Sequence, residues 1–349
     1  MRKEHILVIR FSSLGDVAMA VPVVYSLARQ YPEIRITVLS RSYARPLFDN
    51  LAPNVGFMEA DLKREYKGLK GLNALYRRLA AKQFTAIADL HNVLRSEFLR
   101  LRFNIGRFQV AHIDKHRRAR RRLTSVNNKQ LVQQPTSFQN YVEVFERLGY
   151  SVNIQFTSIF PKEGGDLSLL PAAINTKAPG ACWIGIAPFA AHQGKIYPPE
   201  LMQQVIERLT SQHPQLRIFL FGRGEHEENY FQKWSQAYPQ CVSVKSLLDS
   251  LSQELILMSH LDVMLSMDSA NMHLASLTGI PVVSIWGATH PYAGFLGWGQ
   301  AADNIIQVDL DCRPCSIFGQ KRCRRGDYAC LYQIKPETII EKLNTFITN

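Results

Sequence analysis

Short apolar runs recur along the chain, each closed by glycine, proline or polar turn residues and followed by a stretch with a three-to-four-residue helical period. In the first half, 5–11 (HILVIRF), 35–40 (RITVLS), 86–91 (AIADLH) and 108–114 (FQVAHID) read as strands, with 17–30 as an amphipathic helix after the first. In the second half, 182–188 (CWIGIAP), 216–222 (LRIFLFG), 263–267 (VMLSM) and 281–287 (PVVSIWG) read as strands, with helices predicted over 198–212, 252–260 and 336–347. Strands this uniformly apolar and alternating with helices belong to βαβ units with a parallel sheet covered on both faces. Residues 166–180, rich in proline and small polar residues and without sustained period, read as a linker. The pattern therefore predicts an α/β chain of two doubly wound domains, 1–165 and 181–335, followed by a C-terminal helix in 336–349. Ligand sites are expected at the carboxyl ends of the strands, in a crevice shared by the two domains.

Composition agrees with two folded domains. The chain has 349 residues, and 46% hydrophobic with 20% charged residues excludes a disordered or fibrous polymer. No apolar run reaches the roughly 18 residues of a membrane span, and the start, MRKEHILVIRF, lacks the features of a signal peptide. The expectation is a cytoplasmic protein. Charge is uneven: residues 1–179 carry 28 Lys and Arg against 14 Asp and Glu, whereas 180–349 carry 13 against 15. Segment 95–129 alone has 11 basic and 2 acidic residues, concentrated at Lys115, Arg117, Arg118, Arg120, Arg121 and Arg122. It predicts an anionic partner. Nucleic acid is set aside, because no zinc finger, aromatic RNA-binding motif or helix-turn-helix pattern accompanies the charge.

Three strand ends carry candidate chemistry. After the first strand, Ser12-Ser13-Leu14-Gly15-Asp16 forms a turn into a helix; taken alone it is a capping box between Ser13 and Asp16. Its lone glycine excludes a dinucleotide fingerprint. After 263–267 comes Asp268-Ser269-x-x-x-His273 at a helix start, and the next strand ends in Gly287-Ala288-Thr289. Helix N-termini offer N–H groups and partial positive charge that suit a diphosphate. Lys195 precedes a proline-initiated helix, and Gly222 and Glu225 follow the strand at 216–222. Finally, Cys312, Cys315, Cys323 and Cys330 have a spacing that a tetrahedral structural zinc accepts, with reduced thiols or a redox-labile pair as the alternative.

The turn Ser-Ser-Leu-Gly-Asp, the loop ending in Lys195 before Tyr197-Pro198, and Met267-Asp268-Ser269 with His273 and Thr289 together resemble glycosyltransferase family 9, the ADP-heptose:lipopolysaccharide heptosyltransferases. The resemblance implies a GT-B fold: an N-terminal acceptor domain, a C-terminal nucleotide-sugar domain and a last helix that packs back on the first domain. It implies inverting transfer with no required metal cofactor, and Asp16 as general base. Lys195, Gly222, Glu225, Asp268, Ser269, His273 and Thr289 become candidate donor residues. Ser13 and the arginines 117, 118, 120, 121 and 122 become candidates for a lipid A or inner-core lipopolysaccharide acceptor at the inner-membrane surface. Ser269 stands where family members often carry threonine, and Ala190 and Ala191 where some carry hydroxyl residues. Rival readings are a GT-B transferase or epimerase for another nucleotide-sugar, and a non-catalytic protein that binds anionic glycolipid.

Overall fold

The computed structural model describes residues 4–347 and divides into two units. The first comprises the chain to His116 together with Pro135–Phe156. Its five strands, β1 (His5–Ile9), β2 (Arg35–Ser40), β3 (Val55–Glu59), β4 (Ala86–Asp89) and β5 (Gln109–His112), form a parallel sheet in the order β3-β2-β1-β4-β5. The helices of this part of the chain are α1 (Leu14–Ala18), α2 (Val21–Gln30), α3 (Gly68–Ala80), α4 (Leu94–Ile105), α5 (Arg117–Leu123) and α6 (Ser137–Glu146), of which α5 belongs to the second unit. β1 is buried along its whole length, which is why it reads as an unbroken apolar run. The predicted helix 17–30 is split between α1 and α2. Pro22, with no N–H to donate to the preceding turn, lies in the first turn of α2, where that loss costs nothing.

The second unit comprises Arg117–Gln134 and Thr157 onward. Its strands are β6 (Trp183–Ala187), β7 (Arg217–Leu220), β8 (Cys241–Ser243), β9 (Val263–Met267), β10 (Val282–Ile285) and β11 (Ile305–Ile306). All pair in parallel, in the order β11-β10-β9-β6-β7-β8. The helices are α7 (Pro199–Gln212), α8 (Glu225–Ala237), α9 (Leu251–Met258), α10 (Ala270–Leu277), α11 (Ala329–Tyr332) and α12 (Pro336–Asn344). In both sheets the first strand of the unit is central and the fourth lies on its other side, so connections run outward in opposite directions from β1/β4 and from β6/β9. Those are the topological switch points, where loops part and leave a crevice.

The structure draws three boundaries differently from the hydrophobic pattern. The segment expected to be a linker, 166–180, packs into the second unit: Ile174 is fully buried, Lys177 pairs with Asp262 at 2.8 Å, and the Ala173 carbonyl accepts from Arg217 Nη1 at 2.9 Å. The basic helix α5, expected in the first domain, clusters with the second unit, where the Arg120 guanidinium lies 4.9 Å over the Phe295 ring and Lys129 donates to the Asp311 and Arg313 carbonyls. Helix α12, expected to pack on the first domain, buries Ile339, Ile340 and Leu343 in the core of the second, beside Val205 and Leu209 of α7. An Arg208–Glu337 pair and a bond between His213 Nε2 and Asn344 Oδ1 at 3.0 Å fasten its flank. Its amphipathic stripe demanded a core, and period alone does not say which one.

Candidate active site

In the first unit the chain leaves β1 through Arg10 and turns back into α1. Asp16 Oδ2 accepts from the Ser13 N–H at 3.1 Å and from Ser13 Oγ at 2.7 Å, so the capping interaction read from the sequence is present. It is not the whole story. The Arg10 guanidinium, nearly buried, lies 2.6 Å from the same oxygen and also donates to the Leu90 carbonyl at 2.7 Å, tying the end of β1 to the end of β4. Burial alone would lower the Arg10 pKa, but Tyr141 and Asp16 outweigh it and raise the value, so the cation is permanent. The Tyr141 hydroxyl donates to the Asp16 carbonyl at 3.1 Å and fixes the backbone of the turn. The half-exposed cap is thereby also the carboxylate partner of a nearly buried cation.

Around this turn, fully buried Asp89 accepts from the His91 and Asn92 N–H groups, both at 2.9 Å, and stands 3.4 Å from Arg100. That shapes the loop after β4. Burial, with Arg10 and Lys115 nearby, pushes the His91 pKa down to about 3, so its ring is neutral; Nδ1 faces the Phe11 N–H at 3.4 Å. His91, Ser12, Arg41, Lys63 and Arg95 line a cavity of about 470 Å³. Three cationic side chains on one cavity suit a phosphate or carboxylate. Ser13 serves Asp16, and of the sequence-picked arginines none lines this cavity. Arg117, Arg118, Arg121 and Arg122 are exposed on the second unit and Arg120 is half-buried.

In the second unit, the loop after β6 makes a single turn, Gln193–Lys195, and the Tyr197 and Pro198 that follow lock it. Tyr197 is fully buried, its hydroxyl donating to the Ile334 carbonyl at 2.9 Å. Lys195 Nζ stands 3.2 Å from Asp268 Oδ2 at the end of β9, with both side chains largely buried. The pair therefore spans the β6/β9 switch point. Ser269 stands at the N-cap position of α10 in an extended conformation, with its hydroxyl 3.3 Å from Ser266 Oγ rather than on the helix backbone, and His273 is buried one turn along that helix. Thr289, just beyond β10, is fully buried, and among the described residues its Oγ1 has no hydrogen-bond partner. Such a hydroxyl is costly unless something outside the protein pairs with it.

Gly222 ends the β7 strand in a close approach, since a Cβ there would lie 2.4 Å from Glu227 Oε2. Glu227, which the sequence reading did not select, accepts from the Arg223 and Gly224 N–H groups at 2.8 and 3.0 Å. Glu225 is exposed in the first turn of α8 and has no such role. The four clustered cysteines line one cavity of about 250 Å³. They do not fit the expected zinc. Among the described residues no group of three or more histidine, cysteine or acidic side chains is arranged to hold a metal ion. Cys330 is buried in the apolar core, which pushes its thiol up to about 12; Cys312 is exposed; the Cys315 thiol faces the Ala288 carbonyl at 3.9 Å.

A family model described as glycosyltransferase family 9 (heptosyltransferase) matches residues 72–326, well over half of the chain. The chain belongs to glycosyltransferase family 9. It is 23% identical over 345 residues to lipooligosaccharide heptosyltransferase 2 of Campylobacter jejuni, covering 96% of both chains. It is also 24% identical over 335 residues to the lipopolysaccharide core heptosyltransferase OpsX of Haemophilus influenzae, covering 87% of this chain and 84% of that one. Among solved structures it is similar to the E. coli heptosyltransferase WaaC with ADP, at 18% identity and a TM-score of 0.70, covering 98% and 99% of the two chains. A family 9 glycosyltransferase from Veillonella parvula gives 18% identity and a TM-score of 0.74, covering 99% and 98%. This family 9 protein is a glycosyltransferase of GT-B fold, as its motifs implied. No helix among its described residues is long and apolar enough to cross a membrane.

The family 9 motifs marked Asp16, Lys195, Asp268 and Thr289, and the structure sets each in the segment that follows a strand. Arg10, Asp89, His91, Arg41 and Lys63 went unmarked. For two of them a signal existed: Arg10 and Asp89 are charges closing otherwise apolar strands, a place where only a partnered charge survives burial.

Proposed function

We propose that this protein transfers a heptose, with inversion, from ADP-heptose to the inner core of lipopolysaccharide, at the cytoplasmic face of the inner membrane. The reading is carried by the placement, in a family 9 chain, of Asp16 at one switch point and of Lys195 with Asp268 at the other. Its similarity to lipooligosaccharide and lipopolysaccharide core heptosyltransferases, and the ADP in the similar WaaC structure, support the same substrates.

In this reading Asp16, held in place by Arg10, takes the proton of the acceptor hydroxyl as that oxygen attacks the anomeric carbon. The bond to the nucleoside diphosphate breaks on the opposite face, and negative charge grows on the departing phosphate. Lys195 and the N-terminus of α10 meet that charge. Asp268 holds the Lys195 ammonium in place beforehand, so less side-chain freedom is lost on binding. The cavity with Arg41, Lys63 and Arg95 takes an acidic group of the acceptor, and the exposed arginines of α5 supply attraction toward an anionic surface.

Calorimetric titration with ADP, UDP, GDP and CMP tests the donor, with Asp268→Ala as control. Selective ADP binding that the variant loses is the expected result and leads to a transfer assay on a heptose-deficient lipopolysaccharide. Selective binding of another nucleotide moves the donor within the same mechanism. Absence of any nucleotide binding by the wild-type chain overturns the reading.

A further inference from the structure

Behind the donor loop lies a guanidinium with an unusual set of partners. Arg313 is 4% exposed. Its Nε donates to the Gly287 carbonyl at 2.5 Å, and Nη2 donates to the carbonyls of Trp286 at 3.1 Å and Thr289 at 3.0 Å. Nη1 donates to the Val308 carbonyl, and Nη2 also to Gln307 Oε1 at 2.9 Å. Among the described residues it forms no ion pair, and burial lowers its pKa from the ordinary value. A buried cation whose contacts are carbonyl dipoles keeps part of its positive field, since Asp309 acts on it without an ion-pair contact.

The carbonyl it leaves aside is also taken. Ala288 C=O accepts from the N–H groups of Cys315 and Ser316 at 3.1 and 3.2 Å. Four consecutive carbonyls, 286 to 289, therefore all point to one segment, 313–316. On the loop's other contact, the Ala288 N–H donates to the Gly194 carbonyl at 2.8 Å, next to Lys195. Gly319, whose N–H donates to Ser316 Oγ at 3.0 Å, lies against the Lys195 stem, where a Cβ would come within 2.4 Å of Cγ. A loop whose carbonyls are turned to one side has its remaining polar capacity, here the unpaired Thr289 hydroxyl, left for something else.

We propose that Arg313 is a positioning residue of the donor site: it turns the Trp286–Thr289 carbonyls away from the nucleoside diphosphate, fixes Thr289 and Lys195 toward it, and adds a positive charge held by no ion pair behind the loop. The proposal rests on the reading of this loop as the donor site. It concerns the diphosphate part of the ligand and is indifferent to the sugar.

The test uses the full chain and compares wild type with Arg313→Met, Arg313→Lys and Gln307→Leu. ADP dissociation constants come from calorimetry, donor KM and kcat from initial rates scaled to folded enzyme, and folding from thermal melts. Arg313→Met is expected to weaken ADP binding and kcat/KM by about 10- to 100-fold, the usual result of displacing a site by about 1 Å. Arg313→Lys, which keeps the charge but offers fewer donors in the wrong geometry, recovers part of the loss. If Arg313→Met does not fold, Arg313→Lys and Gln307→Leu carry the same comparison with smaller expected losses. Lowered melting temperatures with unchanged ADP affinity, KM and kcat would show a purely structural role and overturn the proposal. A wild-type chain that binds no nucleoside diphosphate would overturn the donor-site reading beneath it, which separates the two failures.

Discussion

Gly319 gives the sharpest test of whether Lys195 acts where the structure holds it. The residue has a positive φ of 77°, and an added Cβ would lie 2.4 Å from Lys195 Cγ and 2.7 Å from Cδ, well inside ordinary contact. The Lys195 stem has to yield, yet its Nζ is paired with Asp268 at 3.2 Å, so relief moves the ammonium. Gly319→Ala is therefore expected to cost about 1–2 kcal/mol for the left-handed backbone, with about 1–3 kcal/mol more if the clash stays unrelieved. If Lys195 gives way instead, one charge-assisted hydrogen bond to the diphosphate is lost. That is about 1.5–3 kcal/mol, or roughly 10- to 100-fold in ADP affinity. Gly299→Ala is the control, since Gly299 has φ of 67° with nothing within 4 Å of the added Cβ and so pays the backbone cost alone. Thermal melts and calorimetric ADP titrations of both variants separate the two costs. Equal ADP affinity together with equal losses of melting temperature in Gly319→Ala and Gly299→Ala, which shows that the Lys195 stem has given way without cost to binding, would refute the claim that Lys195 holds the donor phosphates.

Other expectations follow from the same geometry. Asp16→Asn should lower kcat by about 10²–10⁴ while leaving ADP affinity intact, and lose about 1–3 kcal/mol of stability because nearly buried Arg10 is left without its carboxylate; wild-type turnover would remove Asp16 from the mechanism. Thr289→Val deletes a buried hydroxyl that has no partner, so the melting temperature should hold or rise while donor KM rises; an unchanged KM would show that the hydroxyl faces no ligand. His5, His91 and His290 are buried, and desolvation lowers their pKa values to about 4, 3 and 4. The unfolded chain takes up protons near pH 6.5 and the folded one only near pH 4, so stability is full above about pH 6.5. It should fall on acidification toward pH 4 by up to about 1.4 kcal/mol per pH unit for each histidine. Urea midpoints that coincide at pH 7 and pH 5.5 would contradict this.

Much of the fold was legible because a parallel sheet buried on both faces requires apolar β-branched runs, and 35–40 and 263–267 are strands over those very residues. What escaped was short or marginal. β3 is half-exposed and contains Gly56; β8 and β11 have three and two residues, too few to show a period. Helices α3, α6 and α8 are amphipathic but were not singled out beside the stronger strand signals. In the site, Asp16, Lys195 and Asp268 could be marked because strand-to-helix turns are local and their residues contiguous. For Arg10 the charge at a strand end was visible but its role was not, because its second anchor, the Leu90 carbonyl, is 80 residues away; Arg313 gave no local signal, because its partners at 286–289 lie more than twenty residues before it.

The sequence by itself determined two parallel α/β units, the strand ends at which chemistry gathers, and, through its motifs, the family. Tertiary structure alone decided that α5, α12 and 166–180 belong to the second unit, that four cysteines line a cavity without forming a metal site, and that two buried arginines stand behind the candidate residues. The reason is one of range. Periodicity and turn chemistry act over a few residues and so are written in the local order of side chains. The partner of an amphipathic face or a buried charge is set by whichever distant segment the sheet order brings against it.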